Sequence, residues 1–162
     1  MFKFRILMIV PALWLSLSPP LLAQEGEEAA EEVVREANST HEVDVEAETA
    51  AALEATTAWL ELLDAGEYEE TWNEAAAAFQ AAVTVGNWIA SVVQARTNFE
   101  PFGERVEVGS RYMTDIPNAP PGEYVVFQFR TAVAGDRTVI ETVTPMKEQG
   151  AWKVSGYFVR PD

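Results

Sequence analysis

The chain contains no cysteine. Disulfides, thiolate metal sites and a thioether-linked lipid anchor are therefore excluded. Histidine is nearly absent too. The single one, His41, lies in a charged stretch where a solvated role is expected. A serine triad needs a histidine base beside its nucleophile. Ser39, Ser91, Ser110 and Ser155 have only that histidine, which lies in the acidic linker, so the triad falls away, and a histidine metal site falls with it. Positive charge is scarce: 11 lysines and arginines stand against 26 acids, a formal charge of −15. Phosphate recognition needs a basic surface, so no nucleic-acid partner is expected. Adsorption to anionic lipid is disfavoured for the same reason. Neither a glycine-rich phosphate loop nor an EF-hand spacing occurs, and no cofactor or metal is expected. Long apolar runs are missing after residue 23, so no membrane span is expected beyond that point.

What is present begins with a leader-like segment. Lys3 and Arg5 precede an uncharged, mostly apolar run from Ile6 to Leu17, and Leu21-Leu22-Ala23 offers a small-residue cleavage site before Gln24. That order is the layout of a secretory signal peptide. A retained anchor is the alternative, but Pro11, Pro19 and Pro20 disfavour one continuous helix. Residues 1–23 are read as a cleaved signal peptide, and the remainder as a periplasmic or secreted protein.

Residues 24–48 hold ten acids and one base, Arg35, with Val33, Val34, Val43 and Val45 as the large apolar side chains. So little apolar surface predicts an acidic, disordered linker. Residues 49–162 then form one domain, long enough to bury a core without staples.

Between 49 and 97 the apolar residues recur at helical spacing. Leu53, Leu60 and Leu63, widened by Trp59 and Leu62, define a first helix that Gly66 would stop. Tyr68, Trp72, Ala75, Ala76, Phe79, Ala82 and Val83 define a second. Thr84 is placed to cap a third, striped by Val85, Trp88, Ile89 and Val92. After the Asn98–Gly103 loop the period becomes two. Val106, Val108, Ser110 and Tyr112 alternate with Arg105, Glu107 and Arg111. Val125, Phe127, Phe129 and Val133 alternate with Tyr124, Gln128 and Arg130. A third strand covers about Thr138 to Thr144, and a fourth sets Trp152, Val154 and Phe158 against Lys153, Ser155 and Tyr157. Short connections around Ala134-Gly-Asp136 and Lys147–Gly150 imply antiparallel neighbours. The fold class is therefore α+β: three helices packed on a four-stranded antiparallel sheet. Arg105, Glu107, Arg111, Arg130 and Lys153 are expected on the water-facing side.

Carboxylate chemistry survives by elimination. A general acid or base needs a carboxyl in a perturbing environment. Glu141 is the candidate, because it runs in phase with Val139 and Val143 and so points inward. The competing reading pairs it with Arg130 or Lys153 across the strands. Asp64 reads as a helix–helix turn residue, and Tyr124 and Tyr157 as packing residues or pocket walls. Trp59, Trp72, Trp88 and Trp152 fall on apolar stripes and read as core.

Several local patterns together resemble one family. They are Trp59-Leu60, Leu63-Asp-Ala-Gly66, Tyr68 and Trp72; then Phe79, Val83, Trp88 and Arg96; then Pro121-Gly-Glu-Tyr-Val125, Phe129, Thr131, Glu141-Thr-Val-Thr144 and Trp152-Lys-Val-Ser-Gly-Tyr157. Their order is similar to the bacterial exported family known as domain of unknown function 4019, over about residues 50–160. The resemblance implies a curved sheet of the cystatin-like or nuclear-transport-factor-two-like kind, and a Gram-negative periplasm. It implies no catalytic residues, since the family has none assigned. Fold alone does not decide function. Three expectations follow: a non-catalytic exported module binding a small molecule or an envelope protein; a structural homodimerisation domain; or a small isomerase- or dehydratase-like enzyme built on Glu141.

Overall fold

The computed structural model describes residues 43–162. The expected leader, most of the acidic stretch and His41 lie outside the described residues. Within them, four helices precede four strands: α1 (Val45–Asp64), α2 (Tyr68–Asn73), α3 (Ala77–Ala82), α4 (Val85–Arg96), β1 (Phe102–Met113), β2 (Tyr124–Val133), β3 (Arg137–Glu148) and β4 (Ala151–Pro161). The class is α+β, as expected, with a fully antiparallel sheet in the order β1-β2-β3-β4.

Helix α1 starts at Val45, inside the stretch read as linker up to residue 48. Two local causes account for this. The Asp44 side chain accepts a hydrogen bond from the Ala47 N–H, and Glu46 and Glu48 occupy the first turn, where a helix favours negative charge. Glu48 also accepts from Lys147 Nζ and, at 3.0 Å, from Trp152 Nε1. The first turn is thereby tied to β3 and β4. At the other end Gly66 takes φ +80°. Its N–H reaches the Leu63 carbonyl, and that of Glu67 reaches Leu62. This is a Schellman stop, as the glycine predicts.

The periodicity from Tyr68 to Val83 predicts one helix, and here the structure differs: α2 and α3 are separate. Ala76 is extended, and its N–H donates to the Val154 carbonyl at 2.9 Å. The Ala77 N–H donates to Glu148 Oε2 at 3.0 Å. Ala75 and Ala76 are small enough to lie buried against β4. Hydrogen bonding to the sheet thus replaces one helical turn. Thr84 caps α4 as expected, accepting from the Asn87 N–H.

Two strand faces also differ from simple alternation. In β4 the register slips between Thr144 and Pro145: Gly156 faces Thr144, but Val154 faces Pro145. Ser155 is therefore an extra residue, a bulge, with its hydroxyl on the Thr144 carbonyl. Phase reverses there. Tyr157 joins Trp152 and Val154 on the helix side, and Phe158 is left 60% exposed. In β1 a slip between Glu107 and Gly109 makes Val108 extra, and another lies between Phe102 and Arg105. Arg105 opposes Thr131 and Glu107 opposes Phe129, so both lie on the helix side, where Arg105 is partly buried and Glu107 stays exposed to water as expected, while Val106 opposes Arg130 on the far side. Arg111 and Arg130 are exposed, as expected.

The core fills the helix–sheet space. Trp59, Leu60, Leu63, Trp88 and Val92 pack on Val125, Phe127, Phe129, Val143, Trp152 and Val154. Trp59, Trp88 and Tyr157 touch one another with ring centroids 5.8–6.3 Å apart. Buried indoles need partners, and each finds one: Trp59 Nε1 donates to the Thr71 carbonyl, and Trp88 Nε1 to Thr71 Oγ1. Trp72, half-buried, donates to the Val83 carbonyl. Among the described residues no helix is long and apolar enough to cross a membrane.

Candidate functional site

Charged residues meet inside this apolar layer. Glu141, at the middle of β3, is fully buried. One carboxylate oxygen, Oε1, accepts from the Tyr157 hydroxyl at 2.7 Å and from Arg96 Nη1 at 3.4 Å. The other, Oε2, accepts from Arg105 Nε at 2.8 Å and from the Thr131 hydroxyl at 2.5 Å. Asp64 completes the cluster. It takes Arg96 Nη2 on Oδ1 and Arg105 Nη1 on Oδ2, the latter at 2.9 Å. Two guanidinium groups thus bridge two carboxylates, and the formal charges cancel.

The local structure explains each position. The Gly66 stop makes Asp64 the last residue of α1, where the helix field disfavours an anion. Two arginines offset that penalty. Arg96 ends α4, where the field favours a cation, and it continues the Trp88–Val92 stripe by one further turn. It is 1% exposed, and its guanidinium stacks on Phe102, 3.6 Å from the ring centre. Arg105 stands beside Thr131 through the β1–β2 register. Tyr157 arrives through the Ser155 bulge.

The electrostatics follow from this packing. Burial raises the Tyr157 hydroxyl far above its ordinary pKa, and the adjacent Glu141 charge adds to the shift. Burial alone would lower Arg105, but its hydrogen bonds to Asp64 and Glu141 outweigh that and raise it. Tyr157 therefore remains a donor and Arg105 a cation. A general base needs a lone pair within reach of a substrate proton. Each oxygen of Glu141 accepts from two donors of the protein.

Glu141 does point inward as its phase predicts, but it pairs with Arg96 and Arg105. Arg130 instead holds Asp162, and Lys153 is not a partner. Asp64 precedes the α1–α2 turn and serves the cluster. Tyr124 packs on Ala76 and Met146 and donates its hydroxyl to the Pro120 carbonyl. Arg96 is the residue that reasoning from chemistry missed. Its signal is a charge in phase with an apolar helical stripe.

A second feature lies at the surface. A cleft of about 480 Å³ opens between α1, α2 and β4. Trp59, Leu62 and Trp152 supply apolar wall, and Glu70, Glu74 and Lys153 are its charged groups. Its volume falls within the range of small-molecule sites.

Taken together, the helices on one face of an antiparallel sheet, tied to it by a cluster of two arginines and two carboxylates, define an α+β domain. Residues 55–157 match the family described as Protein of unknown function (DUF4019), and the chain belongs to that family. No curated protein matches the chain.

Proposed function

We propose that this chain is an exported, non-catalytic binding module of the bacterial cell envelope. One observation carries the reading: every oxygen of Glu141, the inward carboxylate, is held by groups of the protein itself. Such a cluster clamps α1 and α4 to the sheet and leaves binding to the exterior. The leader-like first 23 residues support export to the periplasm or beyond. The layering also supports a cystatin-like or nuclear-transport-factor-two-like arrangement, with one long helix laid across the sheet.

The cleft is where a small ligand would seat. Its tryptophan walls suit a flat apolar body, and Glu70 and Glu74 suit an attached cation. Phenethylamine is the simplest such probe. Titrated into the mature chain, it shifts tryptophan emission saturably, and Glu74→Gln weakens it several-fold. An emission spectrum unmoved by phenethylamine overturns the cleft assignment. Turnover of a substrate that is lost in a folded Glu141→Gln variant overturns the non-catalytic reading.

A further inference from the structure

The sheet face turned away from the helices combines exposed apolar groups with basic ones. Register places Val106, Arg130, Ile140 and Arg160 in one row across all four strands. Gln128, Thr142 and Phe158 form the next. Val106 is 53% exposed, the bulge residue Val108 44%, and Phe158 is the most exposed large apolar side chain among the described residues. Arg111, opposite Val126, adds a third arginine. The counter-charge on this side is Asp162, which accepts from Arg130 and Thr138. Helices α1 and α4 pack on the opposite face. A chain of net charge −15 thus collects three arginines around an apolar patch.

We infer that this face docks a short acidic segment of a partner protein that also carries apolar side chains. The inference rests on the binding-module reading and names its partner class. Charge decides among the possible occupants. A second copy stacked by two-fold symmetry would set arginine near arginine, and like charges across an interface oppose association. A broad anionic surface would meet the protein's overall negative charge. A short segment meets only the local field, because screening in physiological salt acts within about 8 Å. Its glutamates would face Arg111, Arg130 and Arg160, and its apolar side chains Val106, Val108 and Phe158.

Fluorescence anisotropy of a labelled peptide alternating glutamate and valine, titrated with the mature chain, tests this. A peptide with lysine in place of glutamate is the control. The glutamate peptide binds saturably and loses affinity as salt rises, and the lysine peptide does not bind. The Arg130→Glu, Arg160→Glu double variant weakens it about tenfold or more. Phe158→Ser weakens it without changing the salt dependence. Equal binding of both peptides overturns the inference, as does an unaffected double variant. A wild-type dimer in sedimentation that Phe158→Ser dissociates also overturns it, by giving the face to a second copy. Phenethylamine binding at the cleft is read on the same samples. Its survival when the peptide fails confines the failure to this face.

Discussion

At the residue scale, Glu141 shows how a buried charge is made tolerable. Its oxygens accept from two guanidinium groups and two hydroxyls, so little of its polarity is left unmatched. Removing the charge should be far costlier than removing a hydroxyl. Glu141→Gln leaves two guanidinium groups sharing the one carboxylate of Asp64, an uncompensated charge beside the buried Arg96, and is expected to destabilise by about 3 kcal/mol or more. Tyr157→Phe removes one hydroxyl while Arg96 and Arg105 still hold Glu141, and should cost about 1 kcal/mol. Urea denaturation at constant slope reads both, and equal losses would show that the cluster is not an ion-pair clamp. Part of this was legible in the sequence. The phase of Glu141 with Val139 and Val143 placed it inside. Its partners were not legible, because pairing across strands depends on register, and the slip at Val108 in β1 brings Arg105 to the helix side.

At the element scale, punctuation was easier to read than continuity. The Gly66 stop, the Thr84 cap and the strand order were visible because each rests on one local rule. The break between α2 and α3 was not, because alanines at helical spacing suit a continuous helix and a pair of short ones alike. What divides them is the Ala76 hydrogen bond to Val154, a contact between residues far apart in the chain. The Ser155 bulge is similar: one inserted residue reverses the phase of β4, and no composition cue marks it. Gly66 offers a clean test of a legible device. At φ +80° no atom lies within 4 Å of an added Cβ, so the cost of Gly66→Ala is conformational. It should destabilise by about 1 kcal/mol with no change in the cluster. A thermal midpoint equal to that of the parent would remove the left-handed stop from the account.

At the scale of the whole molecule, all four tyrosines are held protonated, and this gives the fold a definable alkaline limit. Burial raises Tyr68, Tyr124 and Tyr157. Tyr112 is pushed up to about 12 by burial and by donating to Glu123. An unfolded tyrosine titrates near pH 10. Because each folded value lies above that, the unfolded chain loses its protons first as pH rises. The stability these groups contribute is intact below about pH 10 and is lost as pH climbs through their folded values. The tyrosines join separate parts of the chain: Tyr157 contacts α1, α4 and β3, and Tyr112 reaches the Glu123–Lys147–Glu48 chain that anchors α1. Ionisation should therefore follow unfolding rather than precede it. Tyrosinate absorbance in the near ultraviolet is expected to stay low near pH 10 and then to rise together with the loss of far-ultraviolet circular dichroism. Tyr157→Phe should make stability less sensitive to alkali, because the most deeply shifted hydroxyl is gone. Full tyrosinate absorbance near pH 10 with dichroism intact would mean that the hydroxyls are accessible in the folded protein and that the interior is open after all.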